Sequence, residues 1–175
     1  FTTMQLVMAG NDTQGVRYGT IETPEKYYLE WKEPADPIHS DHVDLPSANL
    51  LDQHLAQLCS KARFLELIHD FIVFDAGTKK TCRHNQYFGI RAAKAYIRRR
   101  DGGIIWHTQG SGKSLTMVWL AKWIRENVTD SRVLIITDRT ELDEQIEKVF
   151  SGVEEEILRT KSGADLVTRL HAHNP

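Results

Sequence analysis

Cysteine is scarce in this chain: two residues among 175, Cys59 and Cys82, far apart and without metal-ligand spacing. That excludes a disulfide scaffold and a cysteine-based zinc site, and it predicts reduced thiols in a cytoplasmic protein. Long apolar runs are absent as well. None approaches the roughly 20 residues that cross a bilayer, and no signal-peptide pattern is visible, so no membrane partner is expected. An excess of one charge is also missing. Lys and Arg number 22 against 24 Asp and Glu, a formal net charge of −2. Nucleic acid therefore cannot be held by the molecule's overall charge, and any DNA contact must come from a local basic surface. Proline is confined to five positions, three of them within residues 34–46. An initiating methionine is lacking, and the last residues, Asn174 and Pro175, follow directly on a helical pattern. Both ends read as cuts through a larger protein.

What is present suffices for a folded core. Hydrophobic residues make up 41 % and charged residues 26 %, ordinary values for one or two small globular domains. The organising stretch is Gly102-Gly103-Ile104-Ile105-Trp106-His107-Thr108-Gln109-Gly110-Ser111-Gly112-Lys113-Ser114. A short apolar run ends in a glycine-rich loop, the loop ends in Lys-Ser, and an apolar helical segment follows. This is the layout of a phosphate-binding loop. Backbone amides surround a polyanion best, and glycines let the main chain turn tightly enough to come close. The expected nucleotide site is Thr108, Gln109, Gly110, Ser111, Gly112, Lys113, Ser114 and Leu115. Lys113 is the expected catalytic cation on the β- and γ-phosphates of ATP, and the Ser114 hydroxyl is the expected ligand of Mg²⁺. One departure from the general signature stands out: the position five before Gly112 is His107 rather than glycine.

Along the chain, Met4 to Ala9 and Val16 to Ile21 predict a hairpin across the turn chemistry of Gly10-Asn11-Asp12. Glu30-x-Lys32 with Asp12 resembles the carboxylate set of many nucleases. The turn position of Asp12 and the flanking prolines set that reading aside, leaving Tyr28 and Trp31 to pack. Residues 34–46 read as a linker, and His39, Asp41, His42 and Asp44 within it as a solvated polar loop. Ser47 is the expected cap of a helix through Leu58, and a second helix is expected from about Ala62 to Phe71. Residues 76–81 read as a polar break. A third helix is expected from near Asn85 to Arg100. Within it, Gln86 carries a donor and an acceptor side by side, a pair that fits the N6/N7 edge of adenine.

After the helix Lys113–Asn127, the β-branched run Val133 to Thr137 predicts a strand buried on both faces of a parallel sheet. Thr140 is the expected cap of the next helix, a further strand is expected within 154–160, and a last helix from Ser162 to His171. Alternating strands and helices imply a doubly wound α/β core. Asp138 mimics a metal-binding aspartate after a strand, but a loop that grips a DNA phosphate through helix-start amides, Thr137 and Arg139 is the better reading.

Residues 106–117 and 133–145, with Arg83-His84-Asn85-Gln86-Tyr87, closely resemble the restriction (R) subunit of type I restriction-modification enzymes, in which histidine at the position of His107 is normal. The resemblance implies a RecA-like lobe of a superfamily-two helicase, from residue 101 to 175 and truncated before its Asp-Glu-x-His motif. Before it stand the tail of a nuclease domain (1–33), the linker, and helices carrying the adenine-reading motif (47–100). It further implies ATP and Mg²⁺ as cofactors, Gln86 and Arg83 on the adenine, and Thr137, Asp138 and Arg139 on double-stranded DNA. The implied partners are modification and specificity subunits. The nuclease carboxylates, the Asp-Glu motif and the second motor lobe fall outside this sequence, so the 175 residues alone are expected neither to turn over ATP nor to cut DNA. The alternatives are another superfamily-two helicase or remodeller-like ATPase, or a nucleotide-dependent scaffold for partner subunits.

Overall fold

Strands β1 (Val7–Asn11) and β2 (Gly15–Gly19) pair antiparallel, Val7 opposite Gly19 and Asn11 opposite Gly15, in a computed structural model that describes residues 3–33 and 49–172. The turn is set by the Asn11 side chain, whose Oδ1 accepts from the amides of Thr13 and Gln14. Gly15 closes it at φ +71°. β3 (Leu29–Glu30) joins the other edge of β2. Across this small sheet lies α1 (Leu50–Leu58), capped by Asn49, whose side chain accepts from the Asp52 amide. A Cβ on Gly15 would stand 2.2 Å from the His54 ring, so glycine there is what lets α1 settle on the hairpin. His54 Nδ1 accepts from the Val16 amide at 3.1 Å. The expected cap Ser47 and the expected linker 34–46, with its histidines, lie outside the described residues.

α2 (Lys61–Asp70) and α3 (His84–Arg98) follow the expected bounds closely. Between them β4 (Val73–Asp75) and β5 (Thr78–Lys80) form a second hairpin, where a polar break was expected. Ala76 and Gly77, at φ +49° and +80°, turn it. α4 (Lys113–Asn127), α5 (Thr140–Gly152) and α6 (Gly163–His171) complete the chain. α5 begins after Arg139 rather than at a Thr140 cap, and Thr137 Oγ1 donates to Asp143 Oδ1 at 2.7 Å instead. α6 is capped by Ser162, which accepts from the Asp165 amide.

The main core is aromatic and draws on segments far apart in sequence. Trp31 sits 5.3 Å from Tyr87, 5.5 Å from Phe88 and 6.0 Å from Tyr18, ring centre to ring centre. Phe71 extends the stack to Tyr87 and to Trp119 of α4. Tilted and edge-on pairs of this kind add about 0.5–1.5 kcal/mol each beyond the area they bury. Arg63 of α2 is inserted into the stack with 2 % of its surface exposed, bound to Glu33 and to the Gln57 carbonyl. Two long-range bonds fasten the first sheet to the rest: Tyr18 OH donates to the Cys82 carbonyl at 2.9 Å, and Thr20 Oγ1 to the Lys79 carbonyl at 2.6 Å. A second, smaller core joins Val118 and Ala121 of α4 to Ile146 and Phe150 of α5.

The expected parallel sheet is not formed among the described residues. Their strands fall into two antiparallel sheets, β1-β2-β3 and β4-β5. Residues 104–108, 133–137 and 154–160 pair with nothing as strands. In the run 133–137, Leu134 and Ile136 are 52 % and 83 % exposed, so its expected burial on both faces fails as well; Ile104 and Trp106 are 89 % and 88 % exposed. The physical reason is that an apolar β-branched run fixes only a local preference. A strand also needs a neighbour to exchange main-chain hydrogen bonds with, and no described segment pairs with these in that way.

Candidate nucleotide-binding site

The glycine-rich loop runs from Thr108 into α4. Gly110 and Gly112 take φ +76° and +83°, the left-handed region that side-chain-bearing residues adopt at a cost. Gly112 is the residue that caps α4, and it has no side chain with which to do so. The first intrahelical bond is Thr116 N to the Gly112 carbonyl at 3.2 Å. The amides of Lys113, Ser114 and Leu115 therefore point out of the helix end with no acceptor in the helix, where the dipole also favours an anion. Lys113 is exposed and its ammonium folds back onto the loop, 2.9 Å from the Thr108 carbonyl and 3.4 Å from that of His107. Ser111 is buried and its hydroxyl donates to the Thr108 carbonyl at 2.7 Å. The loop is thus closed on itself, with its cation held on two of its own carbonyls.

Beside the loop is a hollow of about 330 Å³ lined by Arg83, Asn85, Trp106, His107, Thr108, Gln109, Gly110 and Ser111, at the lower end of the size range of ligand sites. Arg83 is exposed at its mouth. His107 takes the place of the missing glycine and packs over α3: a Cβ on Gly89 would lie 3.3 Å from its Nε2. Its Nδ1 is enclosed without a hydrogen-bond partner. Asn85, Trp106 and His107 were not singled out as ligand contacts from sequence. Their only signal was adjacency to Gln86 and to the loop.

Gln86 lies next to the loop, as expected, but its amide does not face the hollow. The residue is 3 % exposed. Its Oε1 accepts from the Arg83 amide at 2.8 Å, and its Nε2 donates to the Gly112 carbonyl at 2.8 Å. The donor–acceptor edge expected to meet a base is occupied by main chain. Thr137, Asp138 and Arg139 come together before α5. Asp138 and Arg139 are exposed and pair loosely at 3.8 Å, and Thr137 is tied to Asp143. No cluster of three His, Cys, Asp or Glu side chains able to hold a metal exists among the described residues. The expected metal ligand, the Ser114 hydroxyl, suits Mg²⁺ only when phosphate oxygens supply further ligands. No helix among the described residues is long and apolar enough to cross a membrane.

Comparison with known proteins decides the family. The family model of the SWI2/SNF2 ATPases matches residues 85–175, just over half of the chain, from the first turn of α3 through the loop to the end. The chain belongs to the SWI2/SNF2 ATPase family. That places it among the helicase-like superfamily-two proteins, and the matched residues include the loop before α4. Curated relatives point the same way. A putative type I restriction enzyme endonuclease subunit of Methanocaldococcus jannaschii (MjaIXP) is 35 % identical over 128 residues, 66 % of this chain and 12 % of that protein. The HindI endonuclease subunit of Haemophilus influenzae is 27 % identical over 158 residues, 82 % of this chain and 15 % of its own length. The SsaAORF53P endonuclease subunit of Staphylococcus saprophyticus is 32 % identical over 170 residues, 94 % of this chain and 17 % of its own length. The resemblance to type I restriction endonuclease subunits is thereby shown, and the chain spans between 12 % and 17 % of these relatives.

Proposed function

We propose that this chain is the nucleotide-binding part of the motor in a type I restriction endonuclease subunit, an ATP-hydrolysing, DNA-translocating, site-specific deoxyribonuclease. The observation that carries the reading is the left-handed turn at Gly110 and Gly112, which presents the uncapped start of α4 beside Lys113. Three outward amides and an ammonium group at one helix end suit a compact anion. The named relatives select the system, since all three are called type I restriction enzyme endonuclease subunits.

In this reading ATP binds with its phosphates on the amides of residues 110–115. Lys113 leaves the Thr108 carbonyl for the β- and γ-phosphates, and the Ser114 hydroxyl holds Mg²⁺ together with phosphate oxygens. The metal's contribution is to neutralise charge on the transferred phosphoryl group. Thr137, Asp138 and Arg139 lie against the backbone of double-stranded DNA. Residues 104–108 and 133–137 are strands of a parallel RecA-like sheet in the full-length protein, whose apolar side chains account for the exposed Ile104, Trp106 and Ile136. Modification and specificity subunits complete a cytoplasmic complex.

The test is Lys113→Ala in the full-length subunit, assembled with its partner subunits. ATP hydrolysis and restriction vanish while assembly survives. Restriction that persisted would favour a nucleotide-dependent scaffold over a motor.

A further inference from the structure

α3 ends in three consecutive arginines, Arg98, Arg99 and Arg100, all exposed. The Arg98 guanidinium lies over the Trp123 ring of α4 at 5.2 Å, and that of Arg99 over the Tyr96 ring at 4.7 Å. Arg99 Nε also donates to Asp101 at 2.9 Å. An aromatic seat restricts a long side chain and leaves the in-plane N–H groups of a guanidinium able to meet a further acceptor.

Arg100 stands where glycine is the usual residue. Its amide donates to the Ile97 carbonyl at 2.9 Å, and the Asp101 amide donates to the Tyr96 carbonyl at 3.0 Å. That pair of bonds is a Schellman closure, which needs a left-handed residue at position 100. Arg100 supplies it at φ +61°. Glycine would do so without strain. The helix does not need this charge, because Arg98 already places a cation in the last turn, where the dipole favours one.

Within residues 98–101 three guanidiniums face one carboxylate, Asp101. The loop before α5 is closer to balance, with Asp138 3.8 Å from Arg139. In a chain of net charge −2 a duplex can be held only by such a local excess of cations. The run also lies away from the glycine-rich loop. Gln86 meets Gly112 where α3 and α4 start, and Arg98 meets Trp123 far along both. At 1.5 Å per residue, Gln86 and Arg98 are about 18 Å apart along α3.

We propose that Arg98, Arg99 and Arg100 form a phosphate-backbone contact for double-stranded DNA, additional to residues 137–139 and remote from the nucleotide loop. Planar, forked guanidiniums match phosphate oxygens. Contacts of this kind hold a duplex in place without reading its sequence. This inference rests on the chain being part of a DNA motor.

The experiment titrates the full-length subunit with a fluorescently labelled duplex, by anisotropy, over a series of salt concentrations. Arg100→Gly removes one cation and relieves the left-handed residue, so the fold is kept. At about 0.1 M salt it weakens binding about three- to tenfold, and it lowers the slope of log K against log salt by about one. Asp101→Asn releases Arg99 and strengthens binding. Hydrogen exchange in α3 of Arg100→Gly is unchanged or slower, which a loss caused by unfolding would not show. Unchanged affinity and slope in Arg100→Gly overturn the proposal, as does weaker binding with the slope unchanged. Unchanged DNA binding with weakened assembly with partner subunits also overturns it, since the arginines would then face a protein. A wild-type subunit that binds no duplex at any salt overturns the DNA-motor reading itself.

Discussion

Arg63→Met tests whether the aromatic core depends on a buried charge. The guanidinium is surrounded by the rings of Trp31, Tyr87 and Phe88 at 5.2, 5.6 and 5.6 Å, and it donates to Glu33 and, at 2.7 Å, to the Gln57 carbonyl. Methionine conserves most of the packing volume, so the substitution removes mainly the charge. The Glu33 side chain, 8 % exposed, then keeps one donor, Trp31 Nε1 at 2.8 Å. Its other oxygen already has no hydrogen-bond partner. Removing one member of a buried pair costs about 3–5 kcal/mol. At roughly 2–4 °C per kcal/mol for a chain of this size, Tm falls by roughly 6–20 °C. Adding Glu33→Gln to Arg63→Met neutralises the stranded carboxylate and returns about 1–3 kcal/mol through the coupling of contacting residues. The assay is thermal denaturation followed by tryptophan fluorescence, to which Trp31 contributes as one of four tryptophans. A double variant no more stable than Arg63→Met alone would refute the reasoning, because the loss would then come from packing and not from an uncompensated charge.

Two further outcomes follow from titratable groups. Burial lowers the pKa of His54 below 6.5, and His54 Nδ1 accepts from the Val16 amide, a bond that protonation abolishes. Burial also lowers that of His84. The folded state thus binds fewer protons than the unfolded one. The stability these groups contribute is complete above pH 6.5 and is lost as pH falls from there through their lowered values. Faster hydrogen exchange at Val16 as pH falls through the lowered His54 pKa is the expected sign, and exchange independent of pH after correction for its intrinsic rate would contradict it. As for the thiols, Cys82 is fully buried and burial drives its pKa well up, while Cys59 is exposed with a moderately raised value. Ellman's reagent should titrate Cys59 alone in the native protein and both after denaturation. Two rapidly reacting native thiols would show that Cys82 is not enclosed.

The parts of the molecule set by local rules were legible in the sequence. α4 runs over the expected Lys113–Asn127, because a glycine start and an apolar face determine it without help from elsewhere. The two glycines of the loop adopt the left-handed turns their positions require. The parts that depend on a distant partner were not legible. Thr78-Lys79-Lys80 looks too polar for a strand. Yet the Lys79 stem is buried and its ammonium reaches the Met4 carbonyl at 2.8 Å, a contact across 75 positions. Gln86 was singled out for the right neighbourhood, but only the fold shows its nitrogen engaged by Gly112. The runs 104–108 and 133–137 fail in the opposite sense, since strong strand composition yields no strand where no neighbour is described.

The Trp31 cluster also sets a timetable for biosynthesis. Trp31 leaves the ribosome well before Tyr87 and Phe88, the rings that pack on it. At about 5–20 residues per second, that interval lasts on the order of 3–12 seconds. Throughout it Trp31 has Tyr18 as a ring partner but neither Tyr87 nor Phe88. That is ample time for a holdase to engage the exposed indole.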